Sequence, residues 1–210
     1  EAGHRVVITP GNGPQVGALL AAQEKAIRAG TLRGPPKEIY EFVAQTQLWL
    51  GSQINRALGQ ELSHRKITAT IEVIAPSRVL INPDDPYSQK FTKPIGGYYP
   101  QSEAQRLERE NGWVVREIAE IFADNPLRYR RFVPSPRPEA IYEVDLQRTI
   151  TSIKQGNLVV AVGGGGVPVF ERQGVVQGFN GVIDKDRASA ELAVELHADL
   201  LMIFTGADGF

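Results

Sequence analysis

Four consecutive glycines, at positions 163 to 166, follow directly on a short apolar run at 158–162 that reads LVVAV. The run is rich in β-branched residues and is bounded by Gly156 and Asn157 on one side and by glycine on the other. That is the pattern of a strand buried on both faces. Ordering four glycines carries a large entropic cost, so the fold has to gain something there. One gain is a tight turn at the strand end. The other is close approach of backbone to a ligand, with bare N–H groups facing an anion. A charged cluster follows about 20 residues further on, a combination used by other phosphate-binding βα units, and it favours the ligand.

That cluster is Asp184-Lys185-Asp186, between Val182-Ile183 and a helix expected over 188–197. Ala188, Leu192 and Leu196 recur at four-residue spacing on one face of that helix. Either aspartate can cap it. A lysine in the first turn is harder to account for, because the macrodipole disfavours a cation there. Between two carboxylates it points to phosphate chemistry.

Near the start of the chain, Val6, Val7 and Ile8 read as a short buried strand, followed by Gly11-Asn12-Gly13-Pro14-Gln15-Val16-Gly17. This is not the dinucleotide fingerprint, since the third glycine comes one residue too late. Pro14 suits the first turn of a helix. Val16, Leu19, Leu20 and Ile27 form its apolar stripe, and Gly30 fits just past its end. Strand, glycine loop and helix start make an anion site, or equally a plain βα turn. A second helix carries Ile39, Val43, Leu50, Ile54 and Leu58, with Trp49 expected in a core or an interface. Alternation over 67–73 predicts a strand, and another begins at Arg78 and ends at Pro83.

Composition shifts over 83–138, where proline, tyrosine and paired charges gather. Asp84-Asp85, flanked by Pro83 and Pro86, reads as a solvated turn. Ser102 with Gln105 reads as a capping box opening a short helix that Asn111-Gly112 ends. The stretches 113–118 and 128–133 can pair as strands. Arg128, Arg130 and Arg131 fit an exposed face or a contact with acidic neighbours better than a nucleic-acid patch, given a formal net charge of −1. Lys93 falls in a loop shaped by glycine and proline. Residues 139–155 read as a helix with Ile150 and Ile153 inward, closed by Gly156.

The 210 residues suffice for one sizeable domain, and 42% hydrophobic with 22% charged residues is ordinary for a globular protein. With no cysteine there is no thiolate chemistry. His4, His64 and His197 share no short spacing, so no histidine metal site or triad is assigned. Strands alternating with helices imply an open, mainly parallel sheet covered on both faces, with ligands beyond the carboxyl ends of its strands.

GGGGVPV at 163–169, VIDKD at 182–186 and the strand-like LLMIFTGAD at 200–208 share the chain with TPGNGPQVG at 9–17, TKPIG at 92–96 and VPSPRP at 133–138. In this order, and over nearly the whole chain, they resemble the carbamate kinases of the amino acid kinase family. The resemblance implies a three-layer α/β/α sandwich with a small protruding subdomain at 83–138, inserted in a partial kinase domain spanning 1–210. A strand with a further phosphate loop would precede residue 1, and a nucleotide-binding portion would follow residue 210.

It also implies reversible phosphoryl transfer between ATP and carbamate, giving ADP and carbamoyl phosphate, with Mg²⁺. Lys93, Lys185 and Asp186 would be catalytic, with Asp186 holding the lysines or the loop amides in place. Gly11, Asn12, Gly13, Gly163, Gly164, Gly165 and Gly166 would bind substrate. Thr205, Gly206 and Asp208 would lie near the nucleotide. A cytoplasmic homodimer that binds neither nucleic acid nor membrane is expected. The match departs at Pro10, where the family usually carries histidine, which leaves another acyl-phosphate or phosphate kinase of the same superfamily as an alternative. A non-catalytic binding module is the other.

Overall fold

The computed structural model describes residues 3–118 and 129–204. In chain order its elements are β1 (Val7–Ile8), α1 (Gly13–Arg28), α2 (Ile39–His64), β2 (Ile71–Val73), β3 (Arg78–Leu80), β4 (Phe91–Tyr99), α3 (Gln101–Asn111) and β5 (Val114–Glu117). There follow β6 (Tyr129–Pro134), β7 (Ala140–Ile141), α4 (Glu143–Lys154), β8 (Leu158–Val160), a 3-10 turn (Gly163–Gly165), β9 (Val167–Arg172), β10 (Val175–Gly178) and α5 (Lys185–Glu195).

The apolar run ahead of the glycines forms β8, the middle strand of the order β1-β8-β2. It is parallel to both neighbours, with Val160 opposite Ile8 and Val73. A second sheet has the order β10-β9-β3-β7, in which β9 and β3 are parallel and the outer pairs antiparallel. Helices cover both faces. One apolar cluster joins Val16 and Leu20 of α1 to Phe42 and Val43 of α2 and to Val167 and Val169 of β9. The other joins Val159 of β8 and Val79 of β3 to Ala188 and Leu192 of α5, with Leu146 and Ile153 of α4 packed against it. This is the α/β architecture that the alternation implies. A third, antiparallel sheet, β4-β6-β5, carries α3 and has its own small cluster of Tyr99, Ala104 and Leu107.

Several local expectations change. Ser102 and Gln105 form no capping box: α3 opens from Pro100 without a side-chain cap. A glutamate pair opens α2 instead, the Glu38 N–H donating to the Glu41 carboxylate at 2.7 Å. Lys93 sits within strand β4, opposite Val133, and not in a loop. Only residues 71–73 of the alternating run 67–73 join a ladder. The stretch 139–155 divides into β7 and α4, and the fully buried positions of α4 are the polar Asp145, Thr149 and Ser152. Asp145 is satisfied there by Arg78, whose Nε and backbone N lie 2.8 Å from Oδ2 and whose Nη2 lies 3.0 Å from Oδ1. Ile27 and Val6 are exposed, and Trp49, 52% exposed, lies outside the core, which leaves an interface for it. Residues 200–204 form no strand and lie exposed, because an apolar run becomes a strand only where a neighbour completes its hydrogen bonds.

Candidate active site

The loops after β1 and β8 are stitched together. The Pro10 carbonyl accepts the Gly164 N–H at 2.6 Å, and Gly165 and Gly166 donate to the carbonyls of Val162 and Gly163, each at 3.2 Å. Three of the four glycine amides are therefore engaged within the protein and are not the bare donors expected from the sequence. The glycines are required by conformation and contact. Gly164, Gly165 and Gly166 have φ of 66°, 91° and 81°, in the left-handed region. A Cβ on Gly164 would fall inside the Asn12 carboxamide, and one on Gly165 would lie 2.5 Å from the Ile183 carbonyl oxygen. The tight turn thus brings the β1 loop and the approach to α5 against the end of β8.

A buried polar network holds this turn. Gln47 of α2 donates through Nε2 to the carbonyls of Gly163 (2.8 Å) and Ser77 (3.2 Å), and its Oε1 accepts the Ser77 N–H at 2.7 Å. The Ser77 hydroxyl accepts the Val162 N–H at 2.9 Å. Asn12, only 1% exposed, does not cap α1. Its side chain turns inward and donates to Thr46 Oγ1 at 2.8 Å. Fully satisfied buried networks of this kind fix one arrangement of the backbone. Gln47, Ser77 and Thr46 were missed in the sequence. The available signal was Thr46-Gln47, a polar pair at inward helical spacing from Phe42 and Val43.

The charged cluster begins α5. Asp184 is its N-cap, Oδ1 accepting the Asp186 N–H at 3.0 Å. Lys185 is the first helical residue, and its Nζ lies 2.5 Å from Asp186 Oδ1. Its methylenes cross Gly11, where a Cβ would meet Lys185 Cδ at 3.3 Å. The Ser189 hydroxyl lies 2.7 Å from both Thr9 Oγ1 and the Lys185 carbonyl, fastening α5 to the end of β1.

Lys93 arrives from β4, Nζ 2.8 Å from Asp184 Oδ2. The support of the two lysines is thus divided: Asp186 pairs with Lys185, and Asp184, not Asp186, pairs with Lys93. Burial pushes the Asp184 carboxyl up. The hydrogen bond and charge of Lys93, with the N–H groups of Asp186 and Arg187, outweigh it and hold the carboxyl below its ordinary value. The lysine side chains remain 36% and 43% exposed, open to an incoming anion.

Gly11, Asn12, Gly163, Gly164, Gly165, Lys185, Asp186 and Lys93 are thereby brought to one place, at the carboxyl ends of β1 and β8. Gly13 is the exposed first residue of α1, and Gly166 closes the turn where a Cβ would overlap Val79 Cγ2. Thr205, Gly206 and Asp208 lie outside the described residues. Two ammonium groups beside a helix start and two tight loops can neutralise and align a phosphoryl group.

The amino acid kinase family model matches residues 1–210. The chain belongs to the amino acid kinase family. It is 41% identical over 209 residues to the carbamate kinase of Pyrococcus horikoshii, covering 99% of this chain and 62% of that protein. The crystallised carbamate kinase of Giardia lamblia bound to citric acid superposes with a TM-score of 0.84 at 34% identity, covering 97% of this chain and 62% of that one. The same enzyme bound to AMP-PNP superposes at 0.81, with 34% identity over 97% of this chain and 61% of that one. This amino acid kinase chain therefore spans about three fifths of the length of the carbamate kinases it matches.

Proposed function

We propose that the protein is a carbamate kinase, transferring a phosphoryl group reversibly between ATP and carbamate to give ADP and carbamoyl phosphate. The observation that carries this reading is the meeting of Lys93 and Lys185, each paired with its own aspartate, beside the loops that end β1 and β8. Phosphoryl transfer needs little covalent chemistry from the protein. It needs alignment and neutralisation of the moving charge. The ammonium groups of Lys93 and Lys185 supply the charge, and Asp186 holds Lys185. Gly11, Asn12 and Gly13 supply backbone amides at the start of α1, and the four glycines supply the shape of the facing wall. The similarity to carbamate kinases over 99% of this chain supports the choice of substrates.

Thr205, Gly206 and Asp208 are assigned to the nucleotide by the family match alone. Mg²⁺ is proposed to travel on the nucleotide phosphates. Among the described residues no three His, Asp or Glu side chains converge to hold an ion, and no step is assigned to the metal. Residues 83–138 act as a subdomain that carries Lys93 to the site, a reading supported by the separate sheet and apolar cluster there. A homodimer working in the cytoplasm completes the proposal. Among the described residues no helix is long and apolar enough to cross a membrane.

A second acceptor is favoured by one observation. Pro10, in the position where the family usually carries histidine, lies against Gly163 in the wall of the site. The test is a panel of phosphoryl donors and acceptors given to the full-length protein. Rapid ATP formation from ADP with carbamoyl phosphate, but not with acetyl phosphate, is expected. Preference for another acyl phosphate would assign the protein to that acceptor, and no transfer with any of them would end the kinase reading.

A further inference from the structure

Lys93 belongs to the third sheet and Asp184 to the start of α5, 91 residues apart in sequence, yet Nζ and Oδ2 are 2.8 Å apart. Among the described residues this is the one ion pair joining that sheet to α5. The two oxygens of Asp184 have separate tasks: Oδ1 closes the first turn of the helix that presents Lys185, and Oδ2 takes Lys93. A half-exposed lysine otherwise samples many rotamers. An ammonium has three donors, and among the described residues Asp184 is the one partner of this one. The anchor therefore leaves donors free for an incoming anion.

We infer that Asp184 is a positioning residue for Lys93, holding the subdomain's ammonium at the start of α5 so that it meets the phosphoryl group already oriented. The effect on rate rests on the phosphoryl-transfer reading; the pairing itself does not.

The test uses two variants of the full-length protein, Asp184→Asn and Asp184→Ser. Both keep an oxygen that can cap α5, and neither keeps the carboxylate. Labelling with limiting acetic anhydride, read by peptide mass spectrometry, should modify Lys93 about two- to fivefold faster, the range set by a half-exposed ion pair, with Lys185 unchanged. In the same variants kcat for ATP formation should fall about tenfold or more, and Asp184→Asn should add nothing to the loss already caused by Lys93→Ala. Unchanged labelling of Lys93 in both variants would overturn the pairing. Faster labelling with unchanged kcat, or additive losses in the double variant, would overturn the positioning role. If the wild-type protein transfers no phosphate, the functional reading fails, while labelling still decides whether Asp184 holds Lys93.

Discussion

Gly164 carries the sharpest consequence of a single side chain. A methyl group there meets the Asn12 carboxamide at a backbone φ of 66°, so Gly164→Ala should destabilise the protein by about 2–3 kcal/mol. Denaturant midpoints of the two proteins check this. Asp184 gives a prediction in pH. Its carboxyl lies below the ordinary value of 3.8 in the folded protein. The stability it contributes is therefore complete above that value and lost as pH falls through its lower folded value. Because the side chain is 34% exposed, the contribution is about 0.5 kcal/mol after solvent screening. The stability difference between wild type and Asp184→Asn should be constant at neutral pH and shrink below pH 3.8; a difference that grew in acid would reverse the sign. Lys185 and the glycines were legible in the sequence because each breaks a local rule, a cation at a helix start and an entropic cost without local reward. The division of labour between Asp184 and Asp186 was not, since it depends on where Lys93 arrives from β4. Gln47 was hidden too: a polar residue inside a helical stripe shows its partners only once the loop folds over it.

Helix α1 connects the β1 loop to the third sheet through a run of close contacts. Gly17 packs against the Gly96 backbone of β4, where a Cβ would lie 3.2 Å from the Gly96 nitrogen. Two turns on, Glu24 accepts from Arg131 Nη1 of β6 at 3.0 Å and from the Tyr99 hydroxyl at 3.4 Å, and Arg131 stacks on Trp113. Burial raises the Glu24 carboxyl, with Arg131 working against it. Burial and the Glu24 charge together push the Tyr99 hydroxyl up to about 12. Removing Arg131 leaves Glu24 buried without its cation. Arg131→Ala should cost about 2–3 kcal/mol, measured by chemical denaturation at pH 7. Glu24→Gln in the Arg131→Ala background should recover part of that loss. Sequence reading left this arginine run between an exposed face and an acidic contact, of which Arg131 makes the second, and it allowed the pairing that β5 and β6 make. It missed the start of α3, where Ser102 and Gln105 follow a cap pattern but Pro100 already sets the entry. It also read 200–208 as strand-like on apolar content, whereas 200–204, the described part, join no ladder, since β structure depends on a partner.

At the scale of the molecule, the alternation of strands and helices sufficed to place both loops at carboxyl ends of parallel strands, as β1 and β8 do. What alternation could not supply is the arm: Lys93 reaches α5 from a separate antiparallel sheet, a non-local contact with no trace in periodicity. Phosphoryl transfer at this convergence is the function proposed for the molecule. Its most direct test is ATP formation from ADP and carbamoyl phosphate by the full-length protein and its Lys185→Ala variant, with circular dichroism confirming that both are folded. Turnover by the wild type and a loss of about a hundredfold or more in kcat for the variant are expected, since a charge acting on the moving group supplies several kcal/mol in the transition state. Equal turnover by the two folded proteins would contradict the assignment of this site.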